Sequence, residues 1–176
     1  LYPGQRVQVD VKHVPSSCIV SENGERYYQY TAIDEFSRFR YVEAFRELST
    51  YSSAVFLEHM LKAFPFKVEC VQTDNGPEFT KHYGSRNSSA LTMFEKRLEE
   101  HGIRHKKIRP FTPKHNGKVE RSHRKDNEYF YASHRFYSFE DFAKQLKVHN
   151  RRYNAFPMRP LGWRSPKDTL YDFLLY

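Results

Sequence analysis

Two cysteines in 176 residues, Cys18 and Cys70, are too few for a disulfide framework and lack the paired spacing of a zinc site. Cys70 lies in an apolar run and is read as a small buried hydrophobe, which fits a reducing compartment. No apolar run is long enough to span a bilayer, so no membrane partner is expected. No basic segment leads into a short apolar one, so no signal peptide shows. Without one, the glycosylation-like Asn87-Ser88-Ser89 reads as a polar loop. Internal repeats and low-complexity tracts are absent. The chain opens at Leu1 and is read as a piece of a longer protein.

What is present is 39% hydrophobic and 16% aromatic residues, enough for one core, and a net charge of +8. That charge is lopsided. Residues 1–100 carry 12 Lys and Arg against 14 Asp and Glu, and residues 101–176 carry 17 against 7. An excess so one-sided favours a phosphate-binding surface, with nucleic acid as the phosphate source, over a merely solvated face.

Val7, Val9 and Val11 alternate with Gln8, Asp10 and Lys12, a period of two that predicts a strand with Asp10 opposite the valines. Asn23-Gly24 marks a turn before a strand over Tyr27–Ile33, and Phe39–Phe45 follows as a third. Leu57, Met60, Leu61 and Phe64 share a helical face, capped by Ser49 or Thr50 and ended by Pro65. Val68–Thr73 reads as a strand that delivers Asp74. A helix with Leu91, Phe94 and Leu98 inward is stopped by Gly102, and Ile103–Ile108 is a short strand. Pro110 and Pro113 bracket a loop. A helix from near Asn116 runs past Arg124, and Ser138 with Asp141 caps a last helix with Phe142 and Leu146 inward. The prolines of Tyr153–Leu170 predict an extended arm. The sum is an α/β fold, a mixed sheet flanked by helices, with residues 1–170 as one core and 171–176 as a tail.

Three acids stand in separate motifs: Gln8-Val9-Asp10, Thr73-Asp74-Asn75-Gly76-Pro77-Glu78-Phe79, and Pro113-Lys114-His115-Asn116-Gly117-Lys118-Val119-Glu120-Arg121. If the fold gathers them, they suit divalent cations beside phosphates. Asn75-Gly76 is turn chemistry that can also face a phosphate, and Glu78 either orients the site or makes a local salt bridge. Asp34 is expected to serve a turn. Lys114, Lys118, Arg121 and Lys125 fall at helical spacings of three and four and, with Arg124, predict backbone contacts to DNA. His115 is read as structural rather than as a zinc ligand.

These motifs, in this order, together with Tyr30-Thr31-Ala32-Ile33-Asp34-Glu35-Phe36-Ser37-Arg38, Tyr153-Asn154 and Pro160-Leu161-Gly162, resemble the catalytic core of the retroviral-integrase and DDE-transposase superfamily. The resemblance is greatest to the transposases of bacterial insertion sequences. It implies a ribonuclease-H-like fold with a five-stranded sheet. It also implies Asp10, Asp74 and Glu120 as catalytic ligands of two Mg²⁺ or Mn²⁺ ions, and Asn75, Lys114, Asn116, Lys118, Arg121, Arg124 and Lys125 at DNA. One departure is length. Between Asp74 and Glu120 lie 45 residues, more than in many members, and the excess is assigned to Lys81–Ser89.

The function so implied is a polynucleotidyl transferase that cleaves an element's DNA at its 3′ end and transfers the strand into target DNA. The expected setting is a homo-oligomer on DNA in the bacterial cytoplasm, at the nucleoid. A nuclease of the same fold, or a silent DNA-binding transposon remnant, is the alternative. Members usually carry an N-terminal helix-turn-helix or zinc module for recognition, and this chain contains neither.

Overall fold

A computed structural model describes residues 1–81, 90–108 and 116–175. The five strands are β1 (Val7–His13), β2 (Tyr28–Asp34), β3 (Arg40–Phe45), β4 (Cys70–Thr73) and β5 (Arg104–Lys107). They form one sheet in the order β3-β2-β1-β4-β5. β1, β2 and β3 pair antiparallel, whereas β4 joins β1 in parallel and β5 joins β4 in parallel. This is the mixed sheet that the strand and helix periods predict.

The sheet buries different chemistry on its two faces. Val7, Val9, Tyr30 and Ala32 pack against α1 (Thr50–Ala63) and α2 (Met93–Glu100) through Phe56, Leu57, Met60, Phe94 and Leu98. Tyr27 and Val42 face a second core made by Phe130, Tyr131, Phe136, Phe142 and Leu146. Those residues come from the end of a long helix, from α4 (Phe139–Ala155) and, for Phe136, from the connection between them. The long helix is α3 (Gly117–Asp126), which continues as a π-turn over Asn127–Tyr131. Period-two alternation therefore sends the β1 valines to one face and Gln8 and Asp10 to the other, where α3 lies.

Caps are where the sequence predicts them. Ser49 accepts the Ser52 N–H, Ser138 accepts the Asp141 N–H, and Gly102 turns left-handed (φ +65°) after α2. Thr92 and Glu95 form a reciprocal box at the start of α2. Leu91, expected inward, is 37% exposed because α2 begins two residues later.

The extended arm predicted for Tyr153–Leu170 is the main correction. α4 runs to Ala155, and Pro166–Leu174 forms a further helix, α5. Pro166 sits in the first turn, where a missing N–H costs nothing, and Ser165 caps it by accepting the Asp168 N–H. Leu170 is fully buried, and α5 crosses the 170/171 boundary drawn from sequence.

Asp34 holds the β2–β3 corner as expected. Its carboxylate accepts the Gly4 N–H (2.9 Å), the Ser37 N–H (2.8 Å) and the Ser37 hydroxyl (2.7 Å). Gly4 has φ +83°, and a Cβ there would lie 1.9 Å from the Lys67 carbonyl oxygen, so only glycine fits this approach.

Candidate active site

Register brings the first two acids together. β1 and β4 run parallel with Val7 beside Val71 and Gln8 beside Gln72. Two residues further along, the same register carries Asp10, midway along β1, level with Asp74, the residue at the carboxyl end of β4. Ligand sites of open α/β sheets lie there. Asp74 closes a tight turn by accepting the Gly76 N–H (2.9 Å).

The third acid arrives on α3, and Gln8 fixes where. Its Oε1 accepts the N–H groups of Lys118 and Val119, both at 3.1 Å, while its Nε2 donates to Glu35 (2.6 Å). One side chain thus caps two free amides of a helix start and pins that start to β1. Glu120 follows in the first turn, where the helix dipole favours an anion.

Charge coupling shows that the three acids share one region. Burial pushes the Asp74 carboxyl up, with the Gly76 N–H opposing and the Asp10 charge adding to the rise. Partial loss of water raises Glu120, and Asp10 and Asp74 push the same way while His123 opposes. Among the described residues, no three His, Cys, Asp or Glu groups already stand at metal-holding distances. The donor set, three carboxylates with Asp74 and Glu120 raised in part by neighbouring acid charge, nonetheless fits a hard divalent cation that would relieve the repulsion.

His123 is the neighbour that the sequence reading missed. Its Nδ1 lies 3.4 Å from Asp10 Oδ2, and its Nε2 is 2.9 Å from the Thr31 hydroxyl. Thr31 pairs with Asp10 across β1–β2, so the ring is held between the two strands. The available signal was its place three residues after Glu120, on the next turn of the same helix.

The remaining candidates divide. Lys118, Arg121 and Lys125 line a single cleft of about 520 Å³. Lys118 Nζ donates to the Glu35 carbonyl (3.2 Å) and lies 3.6 Å from its carboxylate. Arg124 is largely exposed, with Nε 3.4 Å from Glu128. Asn116 is 2% exposed and accepts from Gln72 (3.4 Å), so its side chain ties α3 to β4 instead of facing a ligand. The Asn75 amide donates to the Ile108 carbonyl (2.8 Å) and closes the end of β5. Glu78 is buried beside Gly76. Lys114, His115 and all but the first residue of the Lys81–Ser89 loop lie outside the described residues.

Comparison with known proteins agrees with this architecture. A family model described as "Integrase core domain" matches residues 2–113, and a second of the same description matches residues 101–166. A putative integrase, ORF3 of Spiroplasma virus SpV1-C74, is 28% identical over 167 residues, 80% of this chain and 44% of that protein. The retrovirus-related Pol polyprotein from transposon RE2 of Arabidopsis thaliana is 30% identical over 111 residues, 62% of this chain and 7% of the polyprotein. The chain therefore spans less than half the length of these relatives. Among solved structures, the catalytic core domain of BIV integrase superposes with a TM-score of 0.67 at 18% identity, over 96% of this chain and 95% of that one. A chain of the simian T-cell lymphotropic virus intasome gives 0.72 at 19% identity, over 97% and 55%. The HTLV-2 integrase core, solved with magnesium in a trimeric form, gives 0.67 at 18%, over 96% and 97%. The shared fold is the ribonuclease-H-like one.

Proposed function

The chain belongs to the integrase core domain family, and on that premise we propose that it is a metal-dependent DNA transposase/integrase core that cleaves a DNA 3′ end and transfers the strand. The observation that carries this reading is the convergence of three carboxylates, on β1, at the end of β4 and on α3, where the charges of Asp10 and Asp74 act on Glu120, on a helix whose other side lines a basic cleft. A binding module has no use for three acids held against one another's repulsion, least of all next to DNA.

Asp10, Asp74 and Glu120 would hold Mg²⁺ or Mn²⁺, two ions in the active complex. Bound there, the ions would supply charge stabilisation at the attacking and leaving oxygens of an in-line displacement at phosphorus. The chain's own residues do the rest. His123, held by the Thr31 hydroxyl, faces the Asp10 carboxylate from the side. Gln8 fixes the α3 start that carries Glu120. Lys118, Arg121, Arg124 and Lys125 offset the phosphate charge of the duplex. In the first displacement a water oxygen bonds to phosphorus and the P–O3′ bond breaks, leaving a 3′-hydroxyl. In the second, that hydroxyl bonds to a target phosphorus and displaces the target's own 3′ oxygen. We further propose that the active form is a homo-oligomer on DNA, since proteins of the same fold have been solved in an intasome and in a trimeric form. Its setting would be the bacterial cytoplasm.

The test supplies the protein with a pre-cut DNA end, a target duplex and Mg²⁺ or Mn²⁺. Glu120→Gln and Asp74→Asn should each lower joining on the order of a thousand-fold, a loss of several kcal/mol of transition-state stabilisation. Near-wild-type joining by Glu120→Gln would overturn the assignment. Metal-dependent cutting without any joined product would make the protein a nuclease of the same fold.

A further inference from the structure

The cleft beside α3 is larger and more basic than the helix alone predicts. Among the described residues six cations line it: Lys118, Arg121 and Lys125 from α3, Lys106 from β5, Arg6 from just before β1, and Arg38 from the β2–β3 corner. Glu35 is the single carboxylate among the lining residues. Arg38 has a left-handed backbone (φ +62°), a conformation that non-glycine residues rarely adopt. The Asp34 corner holds it there: the Arg38 N–H donates to the Asp34 carbonyl (2.9 Å) and its guanidinium to the Glu35 carbonyl. Arg6 Nε is buried with no hydrogen-bond partner, and Arg6 and Lys118 each reach only to 3.6 Å of Glu35. Desolvation lowers the Lys118 ammonium, and Arg38 and Arg6 lower it further while Glu35 opposes them. One carboxylate leaves this cluster undercompensated.

The cleft does not coincide with the acids. At about 100° per helical residue, Arg121, Lys125 and Lys118 lie about 100–160° around α3 from Glu120. Its floor includes Gln8 and Gln72, each two residues before an acid on its strand, about 6–7 Å along the sheet.

We propose that this cleft is a second nucleic-acid backbone site, which grips duplex phosphates away from the phosphate that reacts at the acids, and that Glu35 occupies it as a stand-in anion until DNA enters. The proposal rests on the reading of the chain as a DNA-acting core. Charge complementarity selects the occupant: a row of cations from four segments matches a repeating phosphodiester, whereas an apolar peptide would leave them desolvated and unpaired. The same phosphate chemistry is offered by a compact polyphosphate, and the test separates the two.

The experiment measures binding of a fluorescent duplex in EDTA as salt is varied, so no catalytic step enters. Replacing Lys106, Arg121 and Lys125 together with Gln should flatten the log–log salt slope by about 2.7 if each contacts one phosphate. Lys106 and Arg121 are exposed and Lys125 is half-buried, and the fold should be kept, as checked by near-ultraviolet circular dichroism; single variants should each flatten the slope by about 0.9. Glu35→Gln should act in the opposite sense and tighten binding severalfold, which a structural role for Glu35 would not produce. An unchanged slope in the triple variant, or weaker binding by Glu35→Gln, would overturn the proposal. Displacement of the duplex by tripolyphosphate at equal phosphate concentration would make this a compact-anion site and equally overturn it. Failure of strand joining alongside the expected slopes would count against the transferase reading and leave the cleft assignment standing.

Discussion

Asp126→Asn should destabilise this protein more than any substitution at the acids. Arg40 and Asp126 are both fully buried. Arg40 Nη1 lies 2.9 and 3.0 Å from the two carboxylate oxygens. Asp126 also accepts from Gln29 Nε2 (2.9 Å) and meets His149 Nε2 at 2.7 Å. Arg40 in turn donates to Asn150 (3.0 Å) and stacks 3.8 Å over the Tyr153 ring. Asparagine keeps the size and removes the charge, so a guanidinium stays buried without an anion. Breaking one side of such a pair costs about 3–5 kcal/mol. At about 2–4 °C per kcal/mol for a domain of this size, the melting temperature should fall by roughly 6–20 °C. Burial alone would raise the Asp126 pKa, yet the Arg40 charge and the His149 and Gln29 contacts hold it well below the usual carboxylate range. A depressed carboxylate contributes stability that is complete above its unfolded pKa of about 3.9 and is lost as pH falls through the folded value. Wild type and Asp126→Asn should therefore differ fully at pH 7 and converge in strong acid. Urea melts at pH 7 and pH 2.5, with an Arg40→Met/Asp126→Leu double-mutant cycle, read this directly. A cost below about 1 kcal/mol at pH 7, a gap that does not narrow in acid, or no coupling in the cycle would refute the reasoning.

Three further outcomes follow from single contacts. Glu120→Gln should not lower the melting temperature of the metal-free protein and should raise it at neutral pH. Asp74 is raised by burial, and Glu120, though exposed, by partial desolvation and the charges of Asp10 and Asp74, so the gain should shrink as pH falls through the carboxylate range; a large drop in melting temperature would instead make Glu120 structural. Burial opposes ionisation of Glu95, yet Lys107, Thr92 and Thr80 hold it down to about 2. It should add roughly 3 kcal/mol above pH 4.5 that disappears as pH falls towards 2, and Glu95→Gln should abolish that acid limb in pH-dependent melts. Leu170→Ala should cost about 2–5 kcal/mol in urea if α5 is part of the cooperative fold, and near zero if the helix is an appendage.

Periodicity is why so much of the architecture was legible. The Val7, Val9, Val11 alternation put Asp10 and Gln8 on one face, and the structure has them there, against α3. The Lys118, Arg121, Lys125 spacing predicted one face, and those residues line one cleft. Convergence from distant segments was not legible. Arg6, Arg38 and Lys106 belong to that cleft through strand register and a left-handed corner, neither of which has a local signature. Asn75 and Asn116 read as ligand-facing because they stand in the motifs, but each amide is engaged with the chain itself. α5 was lost to a general rule about proline. Pro166 follows a capping serine and precedes an acid at the third helical position, which marks a helix start, not a break.

The buried Arg40–Asp126 pair shows where that reading can be pushed further. Among 50 charged side chains, composition treats any one as solvated. Period says otherwise for these two. Arg40 begins β3 on the same face as Val42, which packs in the second core. Asp126 lies seven residues after Val119 and four after Ser122, both buried, on the inward stripe of α3. A cation on the apolar face of a strand and an anion on the apolar stripe of a helix each carry a prohibitive desolvation cost alone. They become tolerable only as partners. Two charges that each break their element's period are therefore a contact prediction, here between β3 and the helix that carries Glu120. That contact, with Gln8 at the helix start, holds α3 over the sheet at both ends.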